Sequence, residues 1–130
     1  MIIGIGVDVV DLARFERAAS RTPGLVPRLF AESERSTPER MLSLRSLAGR
    51  FAAKEALIKA LGDSANVRWH DMRVVADGNG NPSFELHGGV AEIAAAKGIT
   101  DIHLTMTHDA GIALAWVLAE GRGTEQGHVS

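Results

Sequence analysis

Ser36 to Leu61 reads STPERMLSLRSLAGRFAAKEALIKAL, and this stretch decides the architecture. Leu44, Leu47, Ala48, Phe51, Ile58 and Leu61 recur at helical spacing and mark one apolar stripe. Ser36 with Glu39 has the form of a capping box, Pro38 falls in the first turn, and Gly62 is a natural residue just past the end. The pattern therefore predicts one long helix over the whole stretch. At about 100° per residue, Glu55 projects roughly 40° from Phe51, inside the stripe, with Lys54 on the opposite shoulder and Lys59 one turn on. Burying a carboxylate without a cation, a metal or a network is costly, so Glu55 is a candidate for chemistry. The plain alternative is that it reaches solvent or pairs with Lys59 at i,i+4.

Working outward, Ile2–Val7 is a β-branched run read as a buried strand, its Gly4 and Gly6 marking close approach of another backbone or a ligand. Asp8 follows at its end. Asp11 can cap a helix with Leu12, Phe15 and Ala19 on its inner side, closed by the Thr22-Pro23-Gly24 turn, and a short helix covers Leu25–Phe30. Asp71–Ala76 and Ser83–Leu86 flank Asp77-Gly78-Asn79-Gly80-Asn81-Pro82, a hairpin signal. Gly89–Lys97 reads as an alanine-rich helix stopped by Gly98. Ile102–Thr107 and Ile112–Leu118 read as strands joined through Asp109, Ala110 and Gly111. The fold class is α+β: a mostly antiparallel sheet packed against one long helix and shorter ones. Residues 1–119 are read as a single domain and 120–130 as a flexible tail.

Composition sets outer bounds. The 130 residues are 45% hydrophobic and 23% charged, as in an ordinary globular domain. A net charge of −2 gives no reason to expect nucleic acid as a partner. Arg14, Arg17, Arg21, Arg28, Arg35, Arg40, Arg45 and Arg50 all fall in the first fifty residues, a bias suited to phosphates or an acidic protein. No cysteine is present, which excludes disulfides, thiolate catalysis and cysteine-held zinc. No membrane span or signal-peptide pattern is found, so a cytoplasmic protein without membrane contact is expected.

Asp8, at a strand end, is either a helix cap or a ligand for a metal or nucleotide. Asp8 and Glu55 together suit Mg²⁺, which takes one or two carboxylates and completes its shell with water and phosphate oxygens. Lys54, Lys59 and Arg50 are then available to neutralise phosphates. Among the five histidines none forms a helical metal pair; His108, at the end of an alternating strand, is placed to meet a phosphate or orient a hydroxyl. Gly4-Ile5-Gly6 lacks the third glycine of a dinucleotide fingerprint. Arg14, Arg17 and Arg21 project from one broad face of the first helix. Both faces of Ile112–Leu118 are apolar and both should be covered, one by a helix and the other by neighbouring subunits.

Gly4-Ile5-Gly6-Val7-Asp8 with Arg14-Phe15, then Phe51-Ala52-Ala53-Lys54-Glu55-Ala56-Leu57-Ile58-Lys59, then Thr107-His108, resemble the signatures of the holo-(acyl-carrier-protein) synthases. These are the small type of 4′-phosphopantetheinyl transferase. The resemblance runs in order over residues 1–119. It implies an Mg²⁺-dependent enzyme that moves the phosphopantetheine arm of coenzyme A onto a serine of an apo acyl carrier protein, in fatty acid biosynthesis. It further implies Asp8 and Glu55 as metal ligands and, with Lys59 on the phosphates, as the catalytic set. Arg50, Thr107 and His108 would hold the nucleotide end, with the Gly80-Asn81-Pro82 turn along the 3′-phosphate. Arg14 would face the carrier, in a homotrimer with each site between two subunits; Arg17 and Arg21 join that carrier-binding face by their three- and four-residue spacing from Arg14, not by the resemblance. Asn81 replaces a frequent basic residue and Ala31 a frequent hydroxyl residue. The general base stays open between Glu55, Asp8 and a bound water. A transferase for a polyketide or peptide synthase carrier, or a non-enzymatic nucleotide- or acidic-protein-binding domain, are the alternatives.

Overall fold

Two glycines set the distance at which the long helix meets the sheet. In the computed structural model, which describes residues 1–122, a Cβ on Gly4 or Gly6 would overlap the carbonyl oxygen of Ala60 or Ala56. The first strand, β1 (Ile2–Asp11), therefore lets the helix backbone lie directly on it. After β1 come α1 (Leu12–Arg21), α2 (Leu25–Leu29), a 3₁₀ turn at Glu32–Glu34, and α3 (Leu44–Leu61). A second 3₁₀ turn (Trp69–Asp71) leads to β2 (Met72–Ala76), β3 (Pro82–Leu86), α4 (Gly88–Ala96), β4 (Ile99–Asp109) and β5 (Ile112–Gly121). All pairings are antiparallel: a three-stranded sheet in the order β1-β5-β4, and the separate hairpin β2-β3. The α+β class with one long helix is thus as the sequence predicts.

The start of the long helix is not. It begins at Leu44, and Ser43, not Ser36, is the cap, its hydroxyl accepting from the Ser46 N–H at 3.1 Å. Ser36 instead bridges to Met41, and Thr37 and Arg40 exchange backbone hydrogen bonds in a turn. Two capping signals lie seven residues apart, and the second is the one followed by continuous apolar periodicity. At the other end Gly62 adopts φ 70°, the left-handed stop expected of it.

β1 also runs further than expected, because β5 pairs with it as far as Asp11↔Ile112. Asp8 is therefore inside the strand, opposite Ala115, and not at its end. Asp11 caps α1 as predicted, accepting from the Arg14 N–H at 2.9 Å. Glu120 and Gly121, assigned to the tail by sequence, close β5, and the Arg122 N–H donates to the Gly98 carbonyl at 3.0 Å; residues 123–130 of that stretch lie outside the described residues. At the β4–β5 turn Ala110 (φ 51°) and Gly111 (φ 79°) are both left-handed, the conformation a tight two-residue hairpin demands.

The core forms where α3 crosses the sheet. Its Ala52, Ala53, Ala56 and Leu57 are fully buried, against Ala115, Val117 and Ala119 of β5. Small side chains on both surfaces keep the layers close, while Leu57, Phe30, Val74 and Val90 supply the large buried groups, each worth about 1.5–3 kcal/mol. The opposite face of the sheet is uncovered: Ile5, Val7, Val9 and Trp116 are 52%, 40%, 51% and 49% exposed. Val7, Trp116 and Thr105 form one row across it.

Candidate active site

Asp8 and Glu55 reach one cleft from different elements. Alternation along β1 puts Gly4, Gly6 and Asp8 on the α3 side, and the glycine contacts bring α3 close enough for Glu55 to face Asp8. The cleft, about 330 Å³, is lined by Asp8, Val9, Val10, Asp11, Phe15, Phe51 and Glu55, with Arg14 at its rim. Lys59, one turn after Glu55, donates to Asp8 Oδ1 at 3.0 Å and to the Val7 carbonyl at 3.1 Å. Its side chain is 55% exposed, against 18% for Asp8, so the ammonium can still meet an incoming anion. Burial, then the Asp8 charge, hold Glu55 above the usual carboxylate range, and Lys59 offsets part of this.

Two partly buried carboxylates that repel each other, with one exposed lysine between them and solvent, fit a hard cation such as Mg²⁺. Only two protein ligands are offered, and among the described residues no cluster of three or more histidine or acidic groups forms. Two suffice where water and phosphate complete the shell.

A second cleft, about 320 Å³, lies on the other flank of α3. It is lined by Arg45, Ser46, Gly49, Arg50, Pro82, Met106, Thr107, His108 and Ala113. The register places Asp8, Ala115 and Met106 in one row, so the two clefts sit on either side of the buried Ala115. Arg50, Pro82, Thr107 and His108 are thus brought together, but not with Asp8 and Glu55 of the same chain. Gly80, at φ 82° in the tip of the β2–β3 turn, lines neither cleft; Asp77 Oδ1 holds that turn by accepting from the Asn79 and Asn81 amides. Ser46 and Gly49 were not singled out from the sequence, and Arg45 only as one of the arginines of the first fifty residues, because the partner wall of this cleft comes from β3, β4 and β5, far away in sequence.

Lys54 is the main correction at side-chain level. It is fully buried, not poised for phosphate, and donates to Glu34 Oε1 at 2.8 Å and to the Leu29 and Trp69 carbonyls at 2.7 and 2.9 Å. The signal was in the spacing: Lys54 is seven residues from both Leu47 and Leu61, hence within about 20° of each on the helix. Its partner Glu34 was not anticipated. Burial pulls the Lys54 pKa down, opposed by the Glu34 hydrogen bond and charge.

On α1, Arg14, Arg17 and Arg21 are exposed while Leu12 and Phe15 are buried, as the periodicity requires. Arg17 and Arg21 border a shallow depression with Ala13, Glu16 and Ser20. The arginine face therefore runs up to the Asp8–Glu55 cleft at Arg14.

Paired carboxylates beside an exposed lysine, with a second cationic cleft across the helix, are the equipment of a phosphate-handling domain. Residues 4–116 match the 4′-phosphopantetheinyl transferase superfamily, and the chain belongs to it. It is 64% identical over 123 residues to a holo-(acyl-carrier-protein) synthase of Clavibacter sepedonicus, covering 95% of this chain and 99% of that one. Its fold superposes on the crystal structure of the holo-(acyl-carrier-protein) synthase from Neisseria meningitidis with a TM-score of 0.83 and 31% identity, over 92% and 99% of the two chains. The Helicobacter pylori synthase in complex with coenzyme A matches with a TM-score of 0.77 and 28% identity, over 89% and 99%. No helix among the described residues is long and apolar enough to cross a membrane.

Proposed function

We propose that the chain transfers the 4′-phosphopantetheine arm of coenzyme A to a serine of an apo acyl carrier protein, in the cytoplasm and in the service of fatty acid synthesis. The observation that carries this is the meeting of Asp8 and Glu55 in one cleft, with Lys59 ion-paired to Asp8 and with Arg14 leading from the cleft onto an exposed basic helix face. The serine Oγ attacks the phosphorus that bears the pantetheine arm. The new O–P bond forms as the bond to the bridging oxygen breaks, and adenosine 3′,5′-bisphosphate leaves with that oxygen.

Asp8 and Glu55 would hold Mg²⁺, whose charge when bound favours the pyrophosphate and its departure. Lys59 swings from Asp8 to the phosphate oxygens and neutralises them. Glu55, which lines the cleft beside Asp8, accepts the serine proton. Arg50, Thr107, His108 and Pro82 take the nucleotide end of the coenzyme, with the Gly80 turn beside the 3′-phosphate through its backbone.

Those nucleotide-end residues lie across α3 from the carboxylates, which favours a site completed by a second copy. The uncovered face of β1 and β5, with Trp116 at its centre, is the surface for that contact, and a homotrimer closes it. Mass spectrometry of an apo carrier protein incubated with the chain, coenzyme A and Mg²⁺ tests the activity. A phosphopantetheine mass gain is expected, and tight coenzyme binding with no gain would assign the fold to a binding role instead.

A further inference from the structure

Glu34 and Lys54 are the buried charged residues among the described ones, and neither touches the two clefts. A pair of this kind adds little stability over apolar residues of the same shape, so its geometry needs another account. Every polar atom of the pair is committed. Glu34 Oε1 accepts from Lys54 Nζ and, at 2.9 Å, from the Ala31 N–H, while Oε2 accepts from the Val74 N–H at 3.1 Å. Lys54 ties the same point to the end of α2 and to the turn before β2 through Leu29 and Trp69.

Val74 is where this network meets the second cleft. In an antiparallel ladder the N–H and C=O of one residue point to the same side, and both of Val74's point away from β3. Its N–H goes to Glu34, and its carbonyl accepts from Arg50 Nη1 at 2.8 Å. Two residues further on, Ala76 pairs with Pro82, which lines the cleft together with Arg50. One buried carboxylate thus fixes both the hairpin that brings Pro82 and the carbonyl that orients the Arg50 guanidinium. The Glu34 charge also opposes the lowering of the Arg50 pKa by burial.

We propose that Glu34 and Lys54 are positioning residues for coenzyme binding, holding Arg50 and the β2–β3 hairpin in register with Thr107 and His108. This rests on the transferase reading above. The pair has no part in the metal or serine chemistry, so its removal separates the two substrates: the Michaelis constant for coenzyme A rises while that for the carrier and kcat stay near wild type.

The test compares wild type with Glu34→Gln and with the double variant Glu34→Leu/Lys54→Met. The double variant removes both charges at once and so avoids stranding one in the core. Both variants should raise the coenzyme Michaelis constant about tenfold, the scale of losing one or two positioning hydrogen bonds, with carrier constant and kcat within about twofold. A folded double variant with a wild-type coenzyme constant overturns the proposal and makes the pair purely structural. Amide exchange on the wild-type protein is independent of whether the variants fold. Saturating adenosine 3′,5′-bisphosphate should slow exchange at Val74 and Ala31, and unchanged exchange there in a protein that binds the nucleotide overturns the proposal while leaving the transferase reading intact. Absence of both nucleotide binding and transfer in the wild type overturns the two together.

Discussion

Lys59 Nζ lies 3.0 Å from Asp8 Oδ1, whereas Glu55, facing the same cleft, makes no hydrogen bond or ion pair among the described residues. The two carboxylates are thus unequal before any ligand arrives. Asp8 is neutralised by a lysine that can move away, and Glu55 carries a charge disfavoured by burial and by Asp8.

Glu55→Gln should therefore lower turnover by about 10²–10⁴-fold, the range for loss of a positioned acid–base group, while circular dichroism stays native. The same change should stabilise the metal-free fold. Because the folded pKa is raised, the folded chain binds the Glu55 proton more tightly than the unfolded chain, and stability falls as pH climbs from the ordinary value of 4.5 through the raised one. Urea unfolding in chelator at neutral pH should show Glu55→Gln more stable by about 0.5–1 kcal/mol, a range kept small because solvent screens a partly exposed group. The gap should close below the ordinary glutamate pKa. A variant less stable than wild type at neutral pH, or one with normal turnover, would refute the role given to Glu55.

Gly6→Ala tests how the cleft is assembled. The added methyl overlaps the Ala56 carbonyl, a backbone atom one residue from Glu55, so relief requires α3 to lift from β1. A loss of about 1–3 kcal/mol is expected from such overpacking, with transfer falling further than stability alone explains because Asp8 and Glu55 separate. Denaturant midpoints and initial rates on the same samples check both parts. Gly24→Ala, at a position with open space around it, is the control and should change neither.

Much of this was legible in the sequence because the signals were local. Asp77-Gly78-Asn79-Gly80 forces a hairpin, Gly62 stops a helix, and Asp11 caps one, whatever packs around them. Gly4 and Gly6 announced a close approach, and only the partner, the α3 backbone, had to be supplied by the structure. Where two local signals competed, at Ser36 and Ser43, the sequence had no arbiter, and tertiary packing of Leu44 and Leu47 decided. Lys54 was misplaced for a different reason. Its place on the buried face was readable from Leu47 and Leu61, but its partner Glu34, twenty residues upstream in a short 3₁₀ turn, was not, because a long-range ion pair leaves no periodic trace. The division of site residues between two flanks of α3 likewise follows from the β1-β5-β4 order, which element order alone does not dictate.

Trp116→Glu addresses assembly. Trp116 stands between Val7 and Thr105 on the uncovered sheet face, and a carboxylate there cannot be buried against another copy without a partner cation. Sedimentation equilibrium should show wild-type trimers and variant monomers. The monomer should keep its far-ultraviolet spectrum, since the residue is half exposed in the single chain, and should lose transfer because each site then lacks one of its clefts. An active monomer would refute the shared site and require both clefts to work within one chain.

Charge reversal on α1 separates docking from chemistry. Arg14 lines the carboxylate cleft itself, so Arg14→Glu brings a fourth acidic group to a cleft that already holds Asp8, Asp11 and Glu55 and should impair both substrates. Arg17 and Arg21 lie outside that cleft on the same exposed face, which makes them the cleaner probes. Arg17→Glu/Arg21→Glu should raise the Michaelis constant for the carrier protein about tenfold and leave that for coenzyme A and kcat nearly unchanged, because surface charge acts mainly on association. The wild-type rate at low carrier concentration should fall between 0.05 and about 0.5 M salt, as screening shortens the reach of exposed charges to below about 8 Å, and the double variant should lose that dependence. Steady-state kinetics over both substrates and a salt series decide the matter. Equal effects of the double variant on both substrates would place Arg17 and Arg21 in the fold or the coenzyme site, and no effect on either would leave them as ordinary solvated surface.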